Sequence, residues 1–280
     1  MAVLSVQSRV VAGYAGNSAA VFCLQRAGVE CWGLDTLQFS NHTGYAGFAG
    51  RVFQTDQLQT VYDGLKRYVG LKKCRAVLSG YLGKKETGSL VLHIADEVRG
   101  QNPSAVYCCD PVLGDDGKIY VAPDIPAFMR EKVLPSADII TPNRFELSVL
   151  SGLPADGEDE IIAAARSLLK RGRTAVCVVT GITVPSGMAS LAVLESAVYK
   201  VVTPFIENAA DIGGAGDMTT ALFLAEWLKS HDAPSALSKA VSSAFGIIRE
   251  TAARRSPELC LVEAQQEIQT PSALFAAKKI

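Results

Sequence analysis

The chain has 280 residues, of which 49% are hydrophobic and 20% are charged, and its formal net charge is −1. This composition is sufficient for a large buried core. Lysines and arginines form no blocks, and the apolar runs are shorter than the ~18–20 residues that cross a bilayer, so neither a nucleic-acid surface nor a membrane span is predicted. The first residues, MAVLSVQSRVV, lack the basic region and cleavage pattern of a signal peptide and predict a strand.

The cysteines and histidines do not have the spacing of a metal site or a catalytic triad. No two cysteines form a C-x-x-C pair, which favours reduced, buried thiols in a cytoplasmic protein. Cys108 and Cys109 are expected to point to opposite faces of a strand. His42, His93 and His231 are far apart in the chain, which argues against a histidine metal centre or a Ser-His-Asp triad. The other cysteines are Cys23, Cys31, Cys74, Cys177 and Cys260.

Short apolar runs alternate with helical patterns along the chain. Strands are predicted at 2–7, 30–35, 75–80, 105–110, 137–142 and 174–181, with a hairpin around 189–203. Helices are predicted at 17–28, 55–69, 86–99, 143–151, 158–171, 217–230 and 234–253, the first with Asn17 as its cap and Gly28 as its stop. This order predicts an α/β fold with three layers and a largely parallel central sheet, in a single domain over residues 1–280.

Polar residues follow several of the predicted strands. In parallel sheets ligands bind beyond the carboxyl ends of the strands, so these residues are candidates for a site. Taken singly, each is also an ordinary turn or cap residue. Their placement on one edge of the sheet favours a polar site there. The candidates are Ser8, Ser79, Gly80, Tyr81, Asp110, Pro111, Thr141, Pro142, Asn143, Thr180 and Gly181.

The stretch DIGGAGDMTT, residues 211–220, places glycines and an acid before an apolar helix. It has neither the position and spacing of a dinucleotide motif nor the Lys-Ser/Thr of a P-loop. Glycines allow backbone amides to converge, and the helix N-terminus adds a positive dipole end, so an anion is favoured here. Asp217 is then either the cap of this helix or a general base beside the anion, and the motif alone leaves both open.

Two further stretches also allow two interpretations. In TPNRFE, Asn143 and Glu146 are three residues apart and share a helix face, which suits either the surroundings of a hydrated Mg²⁺ or an ordinary capped helix. The stretch 40–53, SNHTGYAGFAGRVF, is polar, aromatic and rich in glycine. It is either a lip over a substrate or an edge hairpin without function.

These pieces, in this order, resemble the pyridoxal kinase family of the ribokinase superfamily over residues 3–250. The segments that carry the resemblance are SVQSRVVAGYAGNSAA, LQFSNHTGYAGFAG, LSGYLG, YCCDPVLGD, ADIITPNRFE and GGAGD, and QFSNHTGY is the most specific. The resemblance implies a ribokinase-like α/β/α sandwich. It also implies ATP-dependent phosphorylation of the 5′-hydroxymethyl group of pyridoxal, pyridoxine or pyridoxamine by a cytoplasmic homodimer.

The resemblance also assigns residues to roles. For the substrate it implies Ser8, Thr43 and Tyr81, with Asp217 as the catalytic base. For the phosphates, Mg²⁺ and a monovalent cation, K⁺ or Na⁺, it implies Asp110, Thr141, Glu146 and Thr180. For the nucleotide it implies Asn143, Gly181, Asn208, Ala209 and Ala210. The amides of Gly214, Ala215 and Gly216 are expected to hold the charge that develops on the transferred phosphoryl group.

Two departures from the family pattern stand out. The usual GTGD is GAGD here, which removes a hydroxyl group near the phosphates, and we expect activity to be retained. The stretch 181–211 is shorter than in many relatives. The alternatives are a hydroxymethylpyrimidine kinase, against which QFSNHTGY argues, and a vitamin-B6-binding protein without catalysis, against which Asp217 and the glycine run argue.

Overall fold

The computed structural model describes residues 1–115, 117–209 and 212–280. Its strands are β1 (Ala2–Val10), β2 (Glu30–Phe39), β3 (Gly50–Val52), β4 (Cys74–Ser79), β5 (Val106–Cys109), β6 (Gly114–Asp115), β7 (Lys118–Ile119), β8 (Ile139–Ile140), β9 (Val176–Val184), β10 (Gly187–Val193), β11 (Val198–Thr203) and β12 (Lys278–Lys279). Its helices are α1 (Asn17–Arg26), α2 (Thr55–Tyr68), α3 (Lys85–Gln101), α4 (Ile125–Phe128), α5 (Arg144–Ser151), α6 (Glu158–Leu169), α7 (Ala215–Ser230), α8 (Ala233–Ala253) and α9 (Gln266–Gln269). In these ranges no helix has the length and apolarity that a membrane crossing requires.

One ten-stranded sheet forms the centre of the molecule, in the order β12-β11-β10-β9-β8-β5-β4-β1-β2-β3. The central strands, from β9 to β2, pair in parallel. The strands at both margins pair antiparallel to their neighbours. The prediction of a largely parallel sheet is therefore confirmed. Because the central strands run in one direction, their carboxyl ends lie along one edge of the sheet.

Helices cover both faces of this sheet. One core cluster packs α2 to α6 against one face, and a second packs α1, α7, α8 and α9 against the other. The neighbours Cys108 and Cys109 belong to opposite clusters, as the alternation of a strand predicts. All seven cysteines are free and buried. The three-layer α/β/α arrangement is thus confirmed.

Several local predictions are wrong. Strands β1 and β2 continue to Val10 and Phe39, so Ser8 lies within β1 rather than after it. Helix α1 has Gly16 at its N-cap, and the side chain of Asn17 is buried instead. Asn17 Nδ2 donates to Asp35 Oδ1 at 2.8 Å, because the sheet brings strand β2 over the start of the helix. The strand predicted to close at 181 continues to Val184, so Thr180 and Gly181 lie within β9, beside a register shift in its pairing with β10.

The stretch 40–53 forms an edge hairpin whose loop we call the hairpin loop (residues 40–49). Strand β3 returns antiparallel to β2. Asn41 Nδ2 donates to the carbonyl groups of His42 and Gly47, and the rings of Phe39 and Phe48 are 4.7 Å apart. The loop is therefore organised by its own side chains, and it lies on the edge of the sheet beside the end of β2.

Candidate active site

Residues 212–216, which we call the glycine-rich loop, lead the chain into helix α7 at the edge of the sheet. Gly214 is the N-cap of α7 and has φ of 82°, a left-handed conformation that favours glycine. A Cβ atom there would lie 1.8 Å from the carbonyl oxygen of Tyr14. The first amides of a helix have no partner within the helix, so this end of α7 presents donors and a positive dipole end to an anion.

Asp217 does not cap this helix. Its Oδ2 accepts the backbone N–H of Gly16 at 2.8 Å, from the turn that follows β1. Burial raises the pKa of Asp217 above its usual value, while the Gly16 hydrogen bond and the nearby His42 act in the opposite direction. The helix-cap interpretation of Asp217 is therefore wrong. What remains is a carboxylate held at a fixed place beside the glycine-rich loop.

Gly16 also contacts Ser8, which places Ser8 near the Asp217 carboxylate. A Cβ atom on Gly16 would lie 2.1 Å from the carbonyl oxygen of Ser8 and 2.4 Å from its Oγ, so the two backbones are in direct contact. The half-buried Ser8 side chain and Asp217 therefore flank the same glycine. The structure brings a predicted substrate residue and the predicted base together.

The ends of β5 and β8 supply a second polar group. Thr141 and Thr220 share a hydrogen bond of 2.8 Å between their hydroxyl groups, and Thr220 Oγ1 also donates to Asp110 Oδ2 at 3.3 Å. All three side chains are buried. Because Thr220 lies one turn after Asp217 on α7, the helix joins this group to the glycine-rich loop.

Glu146 caps helix α5, which is one of the two roles that its sequence left open. It forms a capping box with Asn143, accepting the Asn143 N–H at 2.9 Å while its own N–H donates to Asn143 Oδ1 at 2.8 Å. Its other oxygen accepts the N–H of Leu113, which follows β5. The capped helix thus fixes a buried carboxylate close to Asp110, since the charge of Glu146 contributes to the pKa of Asp110.

The acidic groups are crowded in a manner that suits a bound cation. Burial raises the pKa of Asp110 well above its usual value, and repulsion by Glu146 and Asp217 adds to this effect. Burial also raises the pKa of Glu146, although backbone N–H donors oppose the shift. Among the described residues, no three His, Cys, Asp or Glu side chains converge to enclose a metal ion by themselves. A Mg²⁺ ion that retains several waters and uses one or two carboxylates fits these residues.

Thr180, Gly181 and Tyr81 follow or lie within other strands of the sheet. Thr180 N donates to the carbonyl of Pro142 at 3.2 Å, and Thr180 forms an isolated parallel β-bridge with Asn143. These contacts place β9 beside the start of α5. Gly181 follows Thr180 and is exposed. Tyr81 is half-buried just after β4, and its carbonyl accepts the Thr36 hydroxyl at 3.1 Å.

Three more of the predicted residues lie in loops. Thr43 is exposed in the hairpin loop, beside His42. Asn208 is exposed and Ala209 half-buried in the segment that leads from β11 to the glycine-rich loop. Ala210 lies outside the described residues.

Two residues of the site were not among the predicted ones. The ring of His42 packs on the glycine-rich loop, with Nδ1 3.1 Å from the position that a Cβ on Gly213 would take. Thr220 bridges Asp110 and Thr141. The signal for His42 was its place inside QFSNHTGY, whereas Thr220 looks in the sequence like any threonine on a helix.

The bridge formed by Thr220 gives a direct test of this arrangement. We expect Thr220→Val to lower kcat/KM for Mg-ATP about tenfold, because one buried hydrogen bond to a charged group contributes roughly 1.5 kcal/mol or more. Initial rates at varied Mg-ATP check this. The matched control is Thr219→Val, whose hydroxyl donates to the Ala215 carbonyl of its own helix at 2.7 Å. Equal rates for the two variants would show that the bridge has no part in the site.

A parallel sheet, a glycine-rich loop at a helix N-terminus and buried carboxylates at the same edge are the features of a ribokinase-like small-molecule kinase. Residues 49–256 match the family model described as phosphomethylpyrimidine kinase. A pyridoxal kinase (PdxY) of Granulibacter bethesdensis is 42% identical and aligns over 99% of both chains. One of Rubrobacter xylanophilus is 40% identical over 99% of this chain and 97% of its own. The chain belongs to the pyridoxal kinases within this family.

Solved structures agree with this assignment. The pyridoxal kinase of Leishmania donovani in complex with ADP and pyridoxine is 30% identical, with a TM-score of 0.93 over 100% of this chain and 99% of its own. The same enzyme in complex with ADP and pyridoxamine is 29% identical with the same TM-score. The chain is therefore a kinase, and the use of ATP by such kinases implies a divalent metal ion.

Proposed function

We propose that this kinase transfers the γ-phosphoryl group of ATP to the 5′-hydroxymethyl group of pyridoxal, pyridoxine or pyridoxamine. The observation that carries the proposal is the position of Asp217, which is held by Gly16 beside the amides that begin α7. The site thus combines a proton acceptor with an anion-binding helix end. Relatives that share 38–42% of their residues with this chain are pyridoxal kinases, which supports the substrate class.

In this mechanism Asp217 accepts the proton of the substrate hydroxyl as its oxygen attacks the phosphoryl group. A base is most effective when its pKa lies near the working pH, and burial raises the pKa of Asp217 in that direction. The amides of Gly214, Ala215 and Gly216 donate to the charge that develops on the transferred group. Ser8, Thr43 and Tyr81 hold the pyridine ring, and Asn143, Gly181, Asn208, Ala209 and Ala210 contact the nucleotide.

The divalent ion in this proposal is Mg²⁺, held through Asp110, Thr141, Glu146 and Thr180. The crowding of Asp110 and Glu146 supports it, because the charge of Glu146 raises the pKa of the buried Asp110, and a bound cation would neutralise this repulsion. When bound, the ion neutralises charge on the phosphates. A monovalent cation, K⁺ or Na⁺, is proposed for the same group on the strength of the family resemblance.

Product formation with Mg-ATP tests the function. We expect the purified protein to phosphorylate pyridoxal, pyridoxine and pyridoxamine, with higher kcat/KM than for hydroxymethylpyrimidine, as measured by ADP release and by chromatography of the product. The pyrimidine belongs in the assay because the matching family model is described as phosphomethylpyrimidine kinase. Preference for the pyrimidine would reverse the substrate assignment. Binding of pyridoxal without any phosphorylated product would indicate a carrier.

Three further features belong to the proposal. We infer a single domain over residues 1–280, supported by one sheet that contains both Ala2 and Lys279. A cytoplasmic location is supported by the seven free cysteines, which suit a reducing compartment. A homodimer follows from the family resemblance, and light scattering after size-exclusion chromatography tests it. A monomer at micromolar concentration would contradict it.

A further inference from the structure

The turn between β1 and α1 (residues 11–16, the β1–α1 turn) contacts both the glycine-rich loop and a part of the chain that is distant in sequence. On one side its Gly16 donates to Asp217, and the Tyr14 carbonyl lies against Gly214. The turn therefore contacts both the glycine-rich loop and the Asp217 carboxylate. Any displacement of the turn changes the position of both.

On its other side the β1–α1 turn is held by a carboxylate from the C-terminal segment (residues 254–265). Glu258 Oε2 accepts the backbone N–H of Tyr14 at 3.2 Å. The same carboxylate lies against Gly13, where a Cβ atom would be 2.2 Å from Cδ of Glu258. A glycine at position 13 thus leaves the space that Glu258 occupies.

The C-terminal segment that carries Glu258 is packed in the core and hydrogen-bonded to α8. Leu259 and Leu261, on either side of Cys260, are buried in the core cluster that contains α7 and α8. The Cys260 N–H donates to the Thr251 hydroxyl of α8 at 3.0 Å. Ser256 Oγ closes the turn by donating to the Glu258 carbonyl at 2.6 Å. Glu258 therefore projects from backbone that is anchored on α8.

The hairpin loop approaches the same carboxylate. Hydrogen bonding to Glu258 is the main cause that raises the pKa of Tyr45 above its usual value. Tyr45 is two residues after Thr43, and His42 of this loop packs on Gly213. One carboxylate thus contacts the β1–α1 turn and lies close to the loop that covers the glycine-rich loop.

We propose that Glu258 is a positioning residue for the phosphoryl transfer. It holds the β1–α1 turn so that the Gly16 N–H remains on Asp217 and Gly214 remains under the Tyr14 carbonyl. It does so from a position 244 residues away from Tyr14 in the chain. The inference rests on the proposed function, because it gives Asp217 the role of base.

Substitution at Glu258 tests the proposal. We expect Glu258→Ala to lower kcat about tenfold or more, since small misplacements of reacting groups cost up to ~100-fold, while KM for Mg-ATP changes less than about twofold. Glu258→Gln retains an acceptor for the Tyr14 N–H, so we expect it to restore kcat to within about threefold of the parent chain. The matched control is Glu263→Ala, an exposed acid of the same C-terminal segment.

Amide hydrogen exchange gives a readout that does not depend on activity. We expect faster exchange at residues 11–16 and 40–49 in Glu258→Ala, and parent-like exchange in Glu263→Ala. A folded Glu258→Ala with normal kcat and unchanged exchange in both segments would overturn the proposal, even if its Tm fell. If Glu258→Ala does not fold, Glu258→Asp replaces it, because the shorter side chain withdraws the carboxylate from the Tyr14 N–H, and the same outcomes apply. Absence of turnover in the parent chain would overturn the proposed function, while the exchange result would still decide the role of Glu258.

Discussion

Asp217→Asn is expected to lower kcat for pyridoxal phosphorylation by about 10²- to 10⁴-fold, the usual contribution of a positioned general base. Asparagine has nearly the same size, and its Oδ1 can still accept the Gly16 N–H that holds Asp217 now. It cannot accept a proton from the substrate at neutral pH. KM for pyridoxal should therefore stay within about twofold, because the interactions of the ground state are retained. Steady-state rates with Mg-ATP at varied pyridoxal check both values.

Thermal unfolding distinguishes this loss from misfolding. Burial raises the pKa of Asp217, so its ionised form is unfavourable in the folded protein and this cost grows as the pH rises above the unfolded-state pKa. At neutral pH the neutral amide should leave Tm unchanged or raise it. The matched control is Asp232→Asn, since Asp232 caps α8 by accepting the Ser235 N–H and asparagine caps equally well. Equal kcat in the two variants would remove Asp217 from the chemistry.

The fold was largely predictable because its signals are local. Buried runs for the central strands and periodic patterns for the long helices lie in the sequence, and their alternation leads to a three-layer α/β arrangement. The wrong prediction of Asn17 as the cap of α1 shows the limit of local signals. Asparagine before an apolar helix is typical of a cap, but here Asp35 and the Ser5 carbonyl take its side chain into the interior. That partnership depends on the packing of β2 against α1, which no local pattern contains.

The site shows the same contrast between local sequence signals and contacts that depend on packing. The rule that ligands bind at the carboxyl ends of parallel strands was sufficient to select Asp110 and Thr141. It could not select Thr220, which is 110 residues from Asp110 in the chain and reaches it only because α7 packs across the sheet. The two interpretations of Asp217 were separated by Gly16, 201 residues away. Residue types therefore predicted the candidate groups, whereas the partners that fix each group required the assembled fold.

Gly214→Ala is expected to lower kcat/KM by about 100-fold or more, because it displaces the donors that we propose for the phosphoryl group. The new Cβ atom would lie 1.8 Å from the Tyr14 carbonyl, a distance that backbone atoms cannot tolerate, so one of the two chains must move. Either movement shifts the start of α7 relative to Gly16 and Asp217. The left-handed φ of 82° adds about 1–2 kcal/mol of conformational strain. Initial rates and urea unfolding of the variant measure the two effects.

Gly28→Ala separates the contact from the strain. Gly28 has φ of 83°, nearly the same as Gly214, and it follows α1 away from the site. In the described part of the chain, nothing lies within 4 Å of the position that its Cβ would take. Alanine there should cost about the same 1–2 kcal/mol of stability and leave kcat/KM within about twofold. If Gly214→Ala lowers kcat/KM more than Gly28→Ala does, the difference measures the effect of the close contact between the glycine-rich loop and the β1–α1 turn. If both variants lose equal stability and neither loses activity, the loop tolerates a displaced turn, and the close contact between Tyr14 and Gly214 is not needed for catalysis.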